Sequence, residues 1–510
     1  MSAMFPEKVL KPSKRLRVYT EGNADLISNL PECLLVNIFS FLPMRDLIRT
    51  SVLSKGWRYL WTQAPNLDFD QSLFENCLCY DWLCQCHESK MGKFVEFLDR
   101  MLMFVDGRTI SKFRLSFYYH KHFRYTESID RWVHLAMTSK AHELILDFSK
   151  GYSLAFLRNV ALYQMPHHPI APTWLTVLKL HLCKFNLSSF EALSSLRSLF
   201  LRFVLVLDGS IGVLITKCPL LQDLSLKTCY FPDQFMNHPL DLKLKTLTIK
   251  NCYINEVMDT QVAGVRWTED FSHKPIRSIH ISAPNLLSFK FCGKHIWELS
   301  LKRMSHLVDA KIINDQTTIF PGQSQILHKL LKELDHAQAL TLCSWFLQVL
   351  PLEGNQQSLE TPLNNLKHLK LKVGLHTLEF LGIACLLRSS PNLESLTLIT
   401  GKFAHIWEYD LDIEVLNELF DFNERLYWES QMWCFNCLKK IEIHEFFGTK
   451  FLMDMIKFVL KNSAVLESVV ICFDERISSL TDPEYQDMSR LQFEINSFHR
   501  ASSCAKILFL

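Results

Sequence analysis

The twelve residues Leu387-Arg-Ser-Ser-Pro-Asn-Leu393-Glu-Ser-Leu-Thr-Leu398 decide how most of this chain folds. Their second half is a hexapeptide with large apolar side chains at its first, fourth and sixth positions, and their first half is punctuated by Ser, Pro and Asn. The pattern returns as Leu460-Lys-Asn-Ser-Ala-Val-Leu466-Glu-Ser-Val-Val-Ile471 and as Ile215-Thr-Lys-Cys-Pro-Leu-Leu221-Gln-Asp-Leu-Ser-Leu226. One hexapeptide carries no weight: with 48% of residues hydrophobic, three fixed apolar positions arise by chance at roughly one site in ten. Shared punctuation over twelve positions argues for a shared turn leading into a shared strand.

Working outward, hexapeptides begin at Leu175, Leu196, Leu221, Leu244, Ile276, Leu286, Ile296, Leu366, Leu393, Leu438 and Leu466, with weaker copies near Ile110, Ala141, Leu307 and Ala337. Many intervals lie between 21 and 34 residues, enough for one strand and one returning helix or irregular segment. On such a strand positions four and six point to one face and positions three and five to the other, while the first apolar residue fills the preceding turn. One returning helix is legible at Leu452, Met455, Ile456, Val459 and Leu460, spaced i, i+3, i+4, i+7 and i+8. The strands starting at 276, 286 and 296 are too close for a helix between them, so a bare loop is expected there. Departures at 250–275, 313–336, 351–362 and 401–432 are expected to be loops or added helices. Stacked together, such units make a curved parallel sheet with one continuous core.

A second stretch departs from this pattern. Asp25 to Asp70 reads DLISNLPECLLVNIFSFLPMRDLIRTSVLSKGWRYLWTQAPNLDFD. Pro31 suits the first turn of a helix and Glu32 its positive dipole end. Leu34, Leu35, Ile38, Phe39 and Leu42 follow at i, i+1, i+4, i+5 and i+8, and Pro43 is expected to end the helix. A second short helix fits Met44 to Ser51, with Leu47 and Ile48 apolar. A third is expected after Ser54 as N-cap, carrying Trp57, Leu60 and Trp61 before Pro65. Domains below about 40 residues usually need help to stay folded, and this segment barely exceeds that. Part of its apolar surface is therefore expected to belong to a partner.

Composition narrows the classes. Fifty-five basic against fifty-three acidic side chains leave a net charge of +2, so no global field points to nucleic acid. No apolar run is long enough to span a bilayer, and the charged N-terminus is no secretory leader, so neither span nor signal peptide is expected. The sequon Asn186-Leu187-Ser188 is then expected to be silent. Lys8, Lys11, Lys14, Arg15 and Arg17 mark a solvated tail, with a nuclear import signal or phosphate contact as the alternative. The sixteen cysteines are expected to be free and mostly buried. Cys77, Cys79, Cys84, Cys86 and His87 form C-x-C-x₄-C-x-C-H, which departs from the usual zinc pairs, so free thiols are favoured over metal. Lys93 to Gly107 reads as a helix with Phe94, Phe97, Leu98, Met101, Leu102 and Val105 on one face and Gly107 as its stop. His167-His168 is read as a pair of surface histidines. No phosphate-cradling glycine loop, nucleophile elbow or zinc-protease helix occurs, so no catalytic residue, metal or cofactor is expected.

Leu30-Pro31, Leu34-Leu35, Ile38-Phe39, Leu42-Pro43, Asp46-Leu47, Ser51-Val52-Leu53-Ser54 and Trp57-Arg58-Tyr59-Leu60-Trp61 resemble an F-box of the plant type. The stretch 431–475, with Cys437-Leu-Lys-Lys-Ile-Glu-Ile443, resembles the FBD region that closes many plant F-box/leucine-rich-repeat proteins. Phe113-Arg-Leu-Ser-Phe117 and Ile129-Asp-Arg-Trp-Val133 are similar to that family's first repeats. The resemblance implies an α/β chain: a short N-terminal three-helix F-box followed by an irregular leucine-rich-repeat solenoid, a curved parallel sheet with convex helices and loops. The layout expected is a disordered basic tail (1–24), F-box (25–70), helical linker (71–108), solenoid (109–430), FBD-like repeats (431–475) and a C-terminal cap or tail (476–510).

The family implies a substrate-recognition subunit of a Skp–cullin–F-box ubiquitin ligase, non-catalytic and without cofactor, in the nucleus and/or cytoplasm. The F-box would dock on the Skp adaptor, and through it on cullin, while the repeats hold a protein target; no membrane or nucleic-acid partner is implied. The alternative is an F-box/leucine-rich-repeat scaffold acting outside a ligase, including in the nucleus. Carried over by position, Leu30, Pro31, Leu34, Leu35, Ile38, Leu42, Pro43, Leu47, Val52, Leu53, Trp57 and Trp61 face the adaptor or support that face, and spacing does not separate the two roles. On the strands, positions three and five place Lys179, Lys290, Lys311, Lys370 and Lys440 against Asp223, Glu298, Asp309 and Glu442, a balance that sets no partner sign. Phe200 and His280 are the candidate aromatic anchors on that face, with ordinary packing beneath a loop as the alternative. The target-binding candidates are Lys179, Phe200, His280, Lys290, Lys311 and Lys370.

Overall fold

Every hexapeptide that joins the long sheet pairs in register with its neighbours, so positions four and six align from strand to strand. The computed structural model describes residues 27, 30–42, 44–74, 85–105, 107–119, 125–149, 162–166, 172–186, 188, 190, 193–208, 211–232, 243–254, 274–275, 278–293, 298–302, 304–314, 322–352, 358–374, 377–401, 428, 433–473 and 488–510. The basic tail, Pro43, Cys77, Cys79, Cys84, Leu187, the His167-His168 pair and most of 401–432 lie outside them. Residues 1–67 and 68–510 form two compact units.

The first unit holds α1 (Glu32–Phe39), α2 (Met44–Arg49) and single 3₁₀ turns at Thr50–Val52 and Leu60–Gln63, and ends in β1 (Asn66–Asp70), which crosses the boundary. Two expectations change here. α1 stops at Phe39 rather than at Pro43, because the Ser40 hydroxyl donates to the Asn37 carbonyl at 2.6 Å and closes the turn. The helix expected after Ser54 does not form. Instead the Ser54 Oγ accepts from the Gly56 N–H at 3.1 Å, a local bond that competes with a helical start, and only the 3₁₀ turn remains.

The second unit runs α3 (Gln85–Leu102), β2 (Lys112–Ser116), α4 (Thr126–Thr138), β3 (Glu143–Asp147), β4 (Tyr163–Gln164), β5 (Val177–Phe185), β6 (Ser198–Val206), α5 (Ile211–Lys217), β7 (Asp223–Lys227), β8 (Tyr230–Phe231), β9 (Thr246–Lys250), β10 (Tyr253–Ile254) and β11 (Lys274–Pro275). It continues through β12 (Ser278–Ser282), β13 (Ser288–Gly293), β14 (Glu298–Lys302), β15 (Asp309–Asn314), α6 (Gln323–Glu333), β16 (Ala339–Cys343), α7 (Ser344–Val349), β17 (His368–Val373), α8 (Thr377–Arg388) and β18 (Ser395–Thr400). The last elements are β19 (Lys440–Phe446), α9 (Lys450–Asn462), β20 (Ser468–Phe473), α10 (Met488–Ser497) and β21 (Lys506–Phe509). Parallel pairing runs β2–β3–β5–β6–β7–β9–β13–β15–β16–β17–β18–β19–β20–β21. Leu178, Leu199, Leu224, Leu247, Phe289 and Ala310 form one buried row and Leu180, Leu201, Leu226, Ile249, Phe291 and Ile312 the next.

The strands end by a shared device. Leu182, Phe203, Thr228, Asn251 and Glu445, all at the eighth position of their repeats, adopt φ between 48° and 57°. Pairing of β5 with β6 steps over Leu182 and Phe203, from His181–Arg202 to Cys183–Val204. That left-handed step turns the ninth residue inward, so Cys183, Val204, Cys229, Cys252 and Phe446 are buried.

Two further features were not expected. α3 begins before Lys93 and takes in Cys86 and His87, so the helical backbone at Cys86 is not the extended one that C-x-C needs to aim both thiols one way. Its Phe94 stacks on Phe117 at 5.8 Å, and its Asp99 accepts from the Trp132 indole N–H at 2.6 Å, which fastens it to the first repeat. The strands expected to follow one another at 276, 286 and 296 divide between two sheets. β13 enters the long sheet between β9 and β15, while β12 and β14 pair with each other in a separate parallel ladder. As expected, no helix separates β12 from β13, where residues 283–287 form a turn. Against the β12–β14 ladder α6 sets Glu333, whose carboxylate accepts from the Leu301 N–H at 2.6 Å and the Ser300 hydroxyl at 3.1 Å. Among the described residues no helix is long and apolar enough to cross a membrane.

Candidate functional site

The apolar residues of α1 resolve into two stripes. Leu35 and Phe39, four apart, are 4% and 3% exposed and form the inside, with the Phe39 ring edge-on to Trp57 at 5.3 Å. Leu34 and Ile38, one residue back on each turn, are each 47% exposed. The outer stripe continues past the helix end into Phe41 (83%) and Leu42 (38%), and Ile27, Val52, Leu53 and Tyr59 are also exposed. Met44, Leu47, Leu60 and Trp61 are buried. Polar groups fix this arrangement locally: Thr50 donates to the Leu47 carbonyl at 2.6 Å, Thr62 to the Tyr59 carbonyl at 2.7 Å, and the Gln63 amide to the Glu32 carboxylate.

The residues named from the sequence therefore divide. Pro31, Leu34, Ile38, Leu42, Val52 and Leu53 are exposed, Leu30 and Trp57 half-buried, Leu35, Leu47 and Trp61 buried, and Pro43 lies outside the described residues. Phe41 was missed. It falls off the helical spacing, and its exposure follows from the early end of α1.

The open face of the long sheet carries the polar positions. Position five reads, strand by strand from β5 to β17, Lys179, Phe200, Ser225, Thr248, Lys290, Lys311, Thr341 and Lys370. Lys179 is held at one end, 2.9 Å from Glu143 and with its ammonium 5.3 Å from the Phe200 ring centre. Asp223 and Asp309 sit at position three and are engaged by their neighbours, while Glu442 stands at position five of β19. Asp223 accepts from Ser198 at 2.9 Å and Thr246 at 2.7 Å; Asp309 accepts from Ser288 at 3.0 Å and faces Lys290 at 3.7 Å. Lys440 is bridged to Glu442 at 2.5 Å. His280 and Glu298 are not on this face, because β12 and β14 belong to the other ladder.

Sequence reasoning stopped at position five and so missed position seven, where Arg202, Lys227 and Lys250 pair in register on β6, β7 and β9 and are all exposed. The period-two alternation, extended by one step, would have found them. Around Lys311 positive charge is crowded: burial, then Lys372, Lys370 and Lys290 push its pKa below the usual lysine value, against a smaller opposing effect of Cys292. Among the described residues no group of three or more His, Cys, Asp or Glu could hold a metal ion.

A small unit with an outward apolar stripe, joined to in-register leucine-rich strands, has the form of an F-box protein of the leucine-rich-repeat class. The F-box domain model matches residues 27–68, and the model described as At1g61320/AtMIF1, LRR domain matches 105–268 and 265–502. The chain belongs to the F-box/leucine-rich-repeat family. The F-box/LRR-repeat protein At5g54820 of Arabidopsis thaliana is 26% identical over 458 residues, covering 86% of this chain and 88% of that protein. From the same plant, the F-box/FBD/LRR-repeat protein At1g78750 is 26% identical over 521 residues, covering 98% and 99%, and At1g13570 is 27% identical over 492 residues, covering 95% and 98%.

Proposed function

We propose that this chain is the substrate-recognition subunit of a Skp–cullin–F-box ubiquitin ligase. The F-box docks on the Skp adaptor, which links it to cullin, and the repeat sheet holds a protein target. The chain performs no bond chemistry. It raises the concentration of the target beside a conjugating enzyme, which is an effective-molarity contribution. The observation that supports this reading is the outer stripe of Leu34, Ile38, Phe41, Val52 and Leu53, exposed on a unit whose inner side, Leu35, Phe39, Met44, Leu47, Leu60 and Trp61, is buried. Exposed apolar side chains concentrated on one small unit mark an interaction surface.

Burial chooses the test. Ile38→Asp, alone and with Val52→Asp, places charge on exposed positions and is expected to abolish co-purification with a Skp adaptor while leaving the melting temperature within about 2 °C. Leu35→Asp would instead bury a charge and unfold the unit, so its loss of binding says nothing about docking. Adaptor binding undiminished in the Ile38→Asp, Val52→Asp double variant refutes the assignment. Recovery of cullin with the adaptor separates a ligase subunit from a scaffold working outside one.

A further inference from the structure

We propose that the open sheet face between β6 and β17 binds an acidic, extended segment of a protein partner, which under the ligase reading above is the target. Arg202, Lys227 and Lys250 stand at position seven of three successive strands, and Lys290, Lys311 and Lys370 follow at position five of β13, β15 and β17. Together they make a basic track that steps diagonally across the face. Positions five and seven of these strands hold no acid: the intervening residues are Phe200, Ser225, Thr248, Thr341, Cys292, Ile313 and Cys343, with Lys372 adding a further cation. The acids of the same strands, Asp223 and Asp309, lie at position three and are engaged by serine and threonine hydroxyls. Charge thus segregates along the strand axis, which a count of lysines against acids does not reveal.

Lys290 faces Asp309, whereas Arg202, Lys227, Lys250, Lys311 and Lys370 have no ion-pair partner among the described residues. Burial first, and then the neighbouring Lys372, Lys370 and Lys290, lower the proton affinity of Lys311; an anionic ligand relieves the repulsion among these cations. From β6 to β17 is six ladder steps of about 4.8 Å, so the track is ~29 Å long and matches about nine extended residues at ~3.3 Å each. Serine and threonine hydroxyls interleave with the cations and offer hydrogen bonds to carboxylates and to the peptide backbone. A protein segment fits better than nucleic acid because the charge is local: the whole chain carries only +2, too little to generate the long-range field that gathers a polyphosphate.

The test is fluorescence anisotropy with the full-length chain, using a labelled Glu-rich peptide of about twelve residues, its Gln counterpart and a single-stranded DNA of similar length. The Glu-rich peptide is expected to bind at least about tenfold more tightly than the Gln peptide at low salt, and to weaken as salt shortens the screening length. Reversal by Lys290→Glu, Lys311→Glu and Lys370→Glu together is expected to lower that affinity at least about tenfold. The milder Lys→Gln triple should give a smaller loss in the same direction, which keeps the test valid if the reversal misfolds. Lys457→Glu, on exposed α9 surface, serves as the control and is expected to change nothing. Equal affinity for the two peptides, tighter binding of the DNA, or no loss in either triple variant overturns the inference. Adaptor co-purification read on the same preparations keeps the two proposals apart: each can fail while the other stands.

Discussion

The F-box unit and the repeat sheet obey the same apolar arithmetic and end with opposite surfaces. In the sheet each apolar position is covered by its own fold: Leu226, Leu247 and Leu398 lie at positions four or six of different repeats, and all three are inaccessible. In the F-box only half of the first helix is sealed; Leu35 and Phe39 go in while Leu34 and Ile38 stay out. A repeat has a neighbour of its own kind to bury its stripe, whereas a short unit of two helices and two 3₁₀ turns has too few elements to enclose its own. The two regions therefore expose different chemistry. The F-box offers an apolar stripe, and the sheet, its leucines spent on the interior, offers charges and hydroxyls.

The sharpest way to break that comparison is to make the same small change on both sides of it. Leu247→Ala empties a site at the centre of the ladder and is expected to cost about 2–5 kcal/mol, read as a shift of the urea midpoint. Leu34→Ala removes the same atoms from an exposed stripe and is expected to shift that midpoint by less than about 0.5 kcal/mol while weakening adaptor binding. A loss at Leu34 as large as that at Leu247 would mean that the F-box stripe is internal structure and would erase the distinction.

Helix contacts in the second unit supply a middle-sized effect. Gly382, inside α8, faces α7 so closely that an added Cβ would lie 2.1 Å from the Leu347 carbonyl oxygen. Beside it the fully buried Glu379 carboxylate accepts from Ser344, from the Gln348 amide at 3.3 Å and from the Gly374 N–H at 3.1 Å, which fixes the spacing of the two helices. Gly382→Ala is therefore expected to destabilise by about 1–3 kcal/mol, despite the better intrinsic helix propensity of alanine. A gain in stability would show that the helices can slide apart, and that the repeats are less tightly registered than the strands imply.

The sheet was legible because its signal is redundant. Leu393, Leu396 and Leu398 sit in a frame repeated often enough for flanking punctuation to exclude chance, and the frame then fixes the register. The ladder of β12 and β14 was not legible, since Ile276-Arg-Ser-Ile-His-Ile281 satisfies the same frame as its neighbours and only tertiary pairing sends it elsewhere. His280 left the candidate face for that reason. In the F-box the spacing of Leu34, Leu35, Ile38 and Phe39 showed an apolar face too wide for one contact, yet which stripe turns inward depends on Trp57, whose position no period specifies. The helix after Ser54 failed on a single competing hydrogen bond from Gly56. The basic track at Arg202, Lys227 and Lys250 was present in the alternation and lay one step beyond where the hexapeptide ends.

The smallest expected effect tests where strain is kept. Among the described non-glycine residues, left-handed φ values occur only in the second unit, five of them at position eight of a repeat. Asn251 suits that conformation, because asparagine tolerates it better than a β-branched residue does. Thr228, at φ 52° just past the end of β7, donates its N–H to the Lys250 carbonyl at 2.6 Å, so its backbone is held there in spite of its side chain. Thr228→Asn copies the neighbouring repeat and is expected to raise stability by less than about 1 kcal/mol. Leu182→Asn at the same position must go the other way, since Leu182 is buried and loses more in desolvated polar surface than the relieved backbone returns. If both substitutions destabilised, the repeated turn would be set by side-chain packing, and the kinship of the repeats would rest on their leucines alone.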